Sequence, residues 1–121
     1  MSKKILIVDD DELVLIALKE LLKSENYEVR TFSRGSEALI NLDQEEYDVL
    51  ILDIIMPEMD GFELCRQIRT KPLYKEKPII FLTAKNQEDD KKRGLEAGAT
   101  LFLSKPISPQ RLLALIADAI N

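Results

Sequence analysis

The chain has 121 residues, of which 45% are hydrophobic and 32% charged, with a formal net charge of −5. That length suits one domain with its own core; no stretch approaches the roughly 18 apolar residues of a membrane span, and the acidic balance disfavours nonspecific nucleic-acid binding. Histidine is absent, which excludes histidine-based triads and most zinc sites, and a lone cysteine, Cys65, excludes an internal disulfide.

The start, Met1-Ser2-Lys3-Lys4, is basic, but the apolar run behind it is too short for a signal peptide and leads into acids, so the chain reads as cytoplasmic. Lys4–Val8 is predicted as a strand. Leu13–Lys23 is predicted as a helix, with Val14, Ala17, Leu18 and Leu21 at i, i+3, i+4 and i+7. Glu28–Phe32 is a short strand, and Ser36–Leu42 a short helix with Ser33 as its candidate N-cap. Asp48–Leu52 is the central buried strand, short, rich in β-branched residues and bounded by turn residues. Gly61–Thr70 is a helix that stops ahead of Pro72. Within it Cys65 keeps company with Phe62, Leu64 and Ile68 and reads as a small buried hydrophobe. Pro78–Thr83 is the fourth strand. Gln87–Ala97 is a helix closed by Gly98 in a left-handed cap. Its acids Glu88-Asp89-Asp90, followed by Lys91-Lys92-Arg93, read as solvated charge pairs. Thr100–Leu103 is the fifth strand. Pro109–Ile120 is the last helix, with Ser108 at N-cap and Pro109 at N1.

This alternation predicts an α/β fold: a parallel sheet covered by helices on both faces, with residues 1–121 forming a single domain. In such a sheet all strand carboxyl ends lie on one edge, where open α/β folds bind ligands. Asp53 ends the apolar run Val49-Leu50-Ile51-Leu52, Asp9 and Asp10 end the first strand, Thr83 ends the fourth and Lys105 follows the fifth. Each has an ordinary reading on its own: a solvated turn acid, a helix N-cap, a strand-end threonine, a solvated lysine. Together they make a chemical set. Clustered carboxylates repel unless a cation or a proton intervenes. All-oxygen ligands suit Mg²⁺, with Mn²⁺ as a second candidate. An aspartate can attack phosphorus and become an aspartyl-phosphate. Phosphoryl transfer mainly needs positioning and neutralised charge, which a metal and Lys105 would provide, and the Thr83 hydroxyl can donate to a phosphoryl oxygen.

The motifs Ile5-Leu6-Ile7-Val8-Asp9-Asp10-Asp11, Asp53 with Met56-Pro57 and Asp60-Gly61, Thr83-Ala84, Lys105-Pro106 and Gly94-Leu95-Glu96-Ala97-Gly98-Ala99 stand in that relation along the whole chain. The chain thereby resembles the receiver domains of two-component response regulators, the CheY-like superfamily. The resemblance implies a flavodoxin-like, doubly wound (βα)5 fold with strand order 2-1-3-4-5. It implies that Asp53 accepts a phosphoryl group from the phosphohistidine of a sensor histidine kinase or a histidine phosphotransfer protein. Asp9 and Asp10 would hold Mg²⁺, one directly and one directly or through water, completed by Asp53 and the backbone carbonyl of Ile55. Lys105 would pair with Asp53 and then with the phosphoryl group, which Thr83 and the backbone of Ala84 would also bind. The Lys105–Pro106 bond is expected to be cis. Thr83 and Phe102 look like the family's switch pair, with phenylalanine where tyrosine is also frequent. Ile55 and Lys85 occupy positions that vary in the family and are expected to tune phosphoryl lifetime.

The last helix carries two apolar stripes, Leu112, Leu115, Ile116 and Ala119, and Leu113, Ala117 and Ile120. So wide an apolar arc either packs deeply or leaves surface for a partner. The resemblance implies that the face made by the fourth helix, fifth strand and fifth helix serves homodimerisation or output docking. The leading reading is therefore a phosphoacceptor regulator that catalyses only its own phosphorylation and dephosphorylation, binding neither nucleic acid nor membrane itself. The alternative is a Mg²⁺-dependent phosphatase or phosphotransferase that works through an aspartyl-phosphate. Haloacid-dehalogenase-like enzymes, however, place a second acid where this chain has Ile55, and usually carry a cap insertion. A flavin-binding module is a third class, but acids occupy the place of its phosphate loop.

Overall fold

Residues 2–121 are described by a computed structural model. Five parallel strands form one sheet: β1 (Lys4–Val8), β2 (Glu28–Phe32), β3 (Val49–Leu52), β4 (Ile79–Thr83) and β5 (Leu101–Ser104). Their order is β2-β1-β3-β4-β5, the flavodoxin-like arrangement. The crossovers carry helices α1 (Glu12–Lys23), α2 (Gly35–Leu42), α3 (Gly61–Arg69) and α4 (Glu88–Glu96), and α5 (Pro109–Ile120) closes the fold.

The central strands are buried on both faces, which is why they read as unbroken apolar runs rather than alternating ones. Their side chains still divide with period two. Leu6, Val8, Leu50, Leu52, Ile79 and Phe81 point to the side of α2 and α3, meeting Phe62, Leu64, Cys65 and Ile68. Ile5, Ile7, Val49, Ile51, Ile80 and Leu82 point to the other side, meeting Leu15 and Leu22 of α1 and Leu112 and Ile116 of α5. Two cores therefore clamp one sheet and fix where its strands end.

Several expectations shift. Ser33 does not cap α2: Arg34 holds the N-cap position without a side-chain cap bond. Its guanidinium instead pairs with Glu58 at 3.3 Å. On α1 the buried residues are Leu15 and Leu22, while Ala17 is exposed. That helix is apolar from Leu13 to Leu18, so periodicity alone offers overlapping stripes, and packing against the sheet selects between them. A turn of 3₁₀ helix at Pro72–Tyr74 had no periodic signal; it buries the Tyr74 ring. Among the acids of α4, Asp90 is buried, not solvated. On α5, Leu112 and Ile116 are buried, Leu113 and Ile120 pack at the core's margin, and Ala117 is exposed.

Tyr74 ties the sheet's far edge together. Its hydroxyl accepts the Tyr47 amide at 3.0 Å and donates to the Glu45 carbonyl at 3.1 Å. Tyr74→Phe leaves the Tyr47 amide unpaired inside the protein and is expected to lower stability by about 1–3 kcal/mol. Leu73→Ser, one residue away at a half-exposed side chain, should change it by less than about 0.5 kcal/mol. Urea denaturation of both variants checks the pair; equal midpoints would show that the hydroxyl carries no such role.

Candidate functional site

The carboxyl ends of β1, β3, β4 and β5 meet on one edge of the sheet. Asp9 follows β1 and is held by a ladder bond from its amide to the Phe32 carbonyl, 3.1 Å. Asp53 follows β3, its amide donating to the Val8 carbonyl at 2.9 Å. Both are thus fixed by backbone extension of the sheet, and both are buried. Asp10, next along, is exposed. One carboxylate oxygen from each of Asp9, Asp10 and Asp53 lies within 4.8 Å of the others.

Lys105 enters from across the sheet, 96 residues from Asp9 in sequence, and donates to Asp9 Oδ2 at 2.8 Å. It stands 3.7 Å from Asp53 Oδ2. The lysine is therefore shared, with Asp9 as the closer partner and Asp53, expected to be its main one, the looser. The other bonds explain the preference. Asp9 Oδ1 accepts the Asp11 amide at 2.9 Å, leaving Oδ2 of a nearly sealed side chain to be satisfied. Asp53 Oδ1 accepts the neighbouring Ile54 amide at 2.8 Å, and its side chain is more open, at 11% against 3%. The Lys105 amide donates to the Thr83 carbonyl at 2.9 Å, which anchors the lysine's loop to β4. The Lys105–Pro106 bond is cis.

Burial pushes the Asp9 carboxyl above its usual 3.8, and the Asp53 charge adds to this; hydrogen bonds from Lys105 and Asp11 pull it back only in part. Burial pulls the Lys105 ammonium down, but its hydrogen bond to Asp9 and the Asp53 and Asp9 charges outweigh that, and its net shift is upward. The cluster is thus an excess of negative charge that one lysine only partly answers. Hard oxygen donors so gathered fit a divalent cation such as Mg²⁺.

Thr83 ends β4 with its side chain fully buried. Its Oγ1 accepts the Lys85 amide at 3.1 Å, and among the described residues no hydrogen bond joins it to Asp53. Ala84 follows, exposed at the rim. Phe102 on β5 is half-buried, its ring centre 5.9 Å from that of Phe81. Ile55 places a side chain 62% exposed at the mouth.

Two features of the site carried weaker signals. Gly61 donates its amide to the Ile54 carbonyl at 2.8 Å. A Cβ there would lie 2.1 Å from the Asp53 carbonyl oxygen, so the β3–α3 loop closes on Asp53 only around glycine. The residue was visible as part of Asp60-Gly61, and Asp60 caps α3 by accepting the Glu63 amide at 2.9 Å. The second feature is an open apolar groove of about 520 Å³ between α1 and the loop after β5. Val14, Ala17 and Leu18 line it from one side and Pro106 and Ile107 from the other. The periodic stripe read on α1 is thereby divided: Val14, Ala17 and Leu18 border this groove, while Leu18 and Leu21 also pack at the core's margin.

Three comparisons bear on this arrangement. Residues 5–117 match the family described as response regulator receiver domain. The chain is 44% identical over 114 residues to the alkaline phosphatase synthesis transcriptional regulatory protein PhoP of Bacillus subtilis, covering 94% of this chain and 47% of that protein. It spans about half the length of such curated relatives. Among solved structures it is similar to the Vibrio cholerae chemotaxis protein CheY4, with TM-score 0.94, 35% identity, and coverage of 98% and 99% of the two chains. It is also similar to the receiver domain of sensor histidine kinase PA1611 from Pseudomonas aeruginosa, with TM-score 0.91, 28% identity, and coverage of 99% and 98%. That structure has a magnesium ion coordinated in its active site cleft. A sheet whose strand ends gather Asp9, Asp10, Asp53, Thr83 and Lys105, and a family match across nearly the whole chain, lead to one conclusion: the chain belongs to the response regulator receiver domain family.

Proposed function

We propose that Asp53 accepts a phosphoryl group from the phosphohistidine of a sensor histidine kinase or histidine phosphotransfer protein, in a Mg²⁺-dependent reaction in the cytoplasm. The observation that carries this reading is the gathering of the Asp9, Asp10 and Asp53 carboxylates within 4.8 Å beside Lys105. An Asp53 carboxylate oxygen forms the new bond to phosphorus as the bond from phosphorus to the donor's imidazole nitrogen breaks. The imidazole leaves with that electron pair. Lys105, already 3.7 Å from Asp53, takes up charge on the transferred group. Thr83 and the Ala84 amide then bind phosphoryl oxygens. Asp9, Asp10, Asp53 and the Ile55 carbonyl are the proposed ligands of the ion, which supplies the charge neutralisation that phosphoryl transfer requires. The hydrolysis that reverses the signal occurs at the same carboxylate, and no separate substrate is turned over.

The donor protein needs a surface to dock on. Leu13, Ile16 and Ile55 are exposed apolar side chains on α1 and the β3–α3 loop, and the apolar groove lies alongside with Lys105 at its edge. A helical partner resting there brings its histidine to Asp53. Once Thr83 turns to the phosphoryl group, Phe102 follows into the space released, and the α4–β5–α5 face changes shape for homodimerisation or output docking.

Incubation with Mg²⁺ and acetyl phosphate, followed by intact-mass measurement, should add one phosphoryl group to the wild type and none to Asp53→Asn. Absence of any gain, with acetyl phosphate and with a panel of histidine kinases, would reject Asp53 as acceptor.

Magnesium should stabilise the fold, by about 2.7 kcal/mol at a hundredfold excess over its Kd, and Asp10→Ala should remove that gain in a calorimetric melt. Equal gains in both proteins would remove Asp10 from the ligand set.

The same melts have a defined pH dependence. Native Asp9 holds its proton more tightly than the unfolded chain does, because its carboxyl lies above 3.8. Its contribution therefore favours folding below that value, and is lost as pH rises through the native pKa. Metal binding needs the deprotonated form, so Mg²⁺ affinity should begin to fall on acidification above the ordinary carboxylate range. Titration calorimetry across that range checks the sign; affinity that falls only below pH 3.8 would contradict it.

A further inference from the structure

α4 is poorly anchored by ordinary means. Between Glu88 and Glu96 it buries only Asp90 and Gly94, and its one aliphatic side chain beyond alanine size, Leu95, is 56% exposed. Its C-terminal end is held well. There the Arg69 side chain donates to the Gly98 carbonyl at 2.9 Å, and Cys65 approaches the Ala97 carbonyl at 3.4 Å. Midway, Gly94 lets the Phe102 ring lie flush against the helix, since a Cβ there would meet Phe102 Cδ2 at 2.8 Å. The first turn, Glu88-Asp89-Asp90, carries no apolar side chain. What holds it is polar. Asp90 Oδ1 stands 3.2 Å from Lys85 Nζ, with the aspartate side chain 6% exposed and the lysine 40%. Asp90 Oδ2 accepts the Gln87 amide at 3.0 Å, one half of a capping box.

The other end of this connection is Thr83. The Lys85 residue that clamps Asp90 through its side chain also donates its backbone amide to Thr83 Oγ1. One short segment thus engages the β4 hydroxyl and the first turn of α4 together. We propose that the Lys85–Asp90 ion pair is a latch that holds the N-terminal turn of α4 down and keeps the Thr83 hydroxyl on the Lys85 amide, opposing its turn towards Asp53. This rests on the proposed phosphoryl-acceptor reading of Asp53. With the latch closed, Thr83 has a partner and no cause to move. Movement of Thr83 to a phosphoryl oxygen gives up the Lys85 amide, which frees the lysine backbone and weakens the clamp on α4. By reciprocity, opening the clamp by mutation makes the site more receptive. Arg93 does not substitute for the latch: its guanidinium sits 4.2 Å above the Phe62 ring, nearer the C-terminal half of the helix.

Two variants open the latch without touching Asp53, Asp9, Asp10, Lys105 or Thr83. Lys85→Met removes the cation and keeps the length of the side chain. Asp90→Asn removes the charge and keeps an oxygen for the capping box. Hydrogen exchange of unphosphorylated protein should rise at residues 85–92 in both, with α1 and α5 unchanged. Both should also phosphorylate faster with acetyl phosphate and Mg²⁺, by about threefold, the worth of one partly exposed ion pair. The double variant should be no faster than either single, because both break one contact. Lys85→Arg should keep wild-type exchange and rate. Unchanged exchange in Lys85→Met and Asp90→Asn would overturn the latch. Raised exchange with an unchanged phosphorylation rate, or a double variant whose effects multiply, would overturn its coupling to Thr83. A wild type that never phosphorylates would instead refute the acceptor reading, while the exchange measurement, made without any phosphodonor, still reads the clamp on α4 by itself.

Discussion

The fold is arranged around an unfavourable contact: three carboxylates gathered on one sheet edge, two of them buried, with a single lysine to answer them. Burial raises the proton affinity of Asp9, and the Asp53 charge beside it raises it further. A soft structure would relieve the strain by moving the groups apart. This one cannot move its two buried acids, because Asp9 and Asp53 are each an extension of a strand. The amides of Asp9 and Asp53 both continue the ladder past the ends of β1 and β3, and those strands are sealed between two apolar cores. Core packing supplies the rigidity that keeps the charges together. The cluster in return gathers hard oxygen donors that fit a divalent cation as no single residue would.

The same logic separates the surroundings of Asp9 from those of Asp53. Asp9 is the more deeply enclosed and uses both oxygens on donors, Asp11 and Lys105. Asp53 spends one oxygen on the adjacent amide and keeps the other only loosely associated with Lys105. An acid whose second oxygen is the less committed, at the more open position, is the better placed to form a new bond. Lys105 need not travel far to follow charge from one carboxylate to the other, and its loop is pinned to β4 through Thr83. Gly61 completes the arrangement by letting the loop after Asp53 fold back without a Cβ in the way.

Much of this was legible in the sequence, for reasons that differ by element. The strands were readable because burial on both faces leaves continuous apolar runs, and their parallel order forces acids, threonine and lysine from distant segments onto one edge. Helix α5 was readable from Ser108 and Pro109, whose capping chemistry is local; Ser108 accepts the Arg111 amide at 3.1 Å. What failed depended on packing rather than pattern. The apolar stretch of α1 admits more than one stripe, and only contact with the sheet shows that Leu15 and Leu22 go inward while Ala17 borders a groove. Asp90 looked like one acid in a charge run, because nothing in a run tells which member faces the body of the protein. The sharing of Lys105 between two acids likewise depends on which oxygens are already occupied.

Asp90 and the charge cluster belong to one argument about where this protein can afford motion. The edge that holds Asp9 and Asp53 is backed by β-branched and aromatic side chains and has little freedom. α4, two strands away, has almost no apolar side chain to give, so its position is set by a few polar contacts whose free energies are small and separable. A change of charge at the rigid edge cannot distort the sheet, but it can tip a balance among weak contacts. The segment from Thr83 to Asp90 is where the two regimes meet: it begins inside the core, on a fully buried threonine, and ends on a helix turn held by an ion pair. In the proposed reading, a chemical event of small reach at the sheet edge would therefore be felt at a helix, because rigidity is concentrated at one end of that segment and withheld from the other.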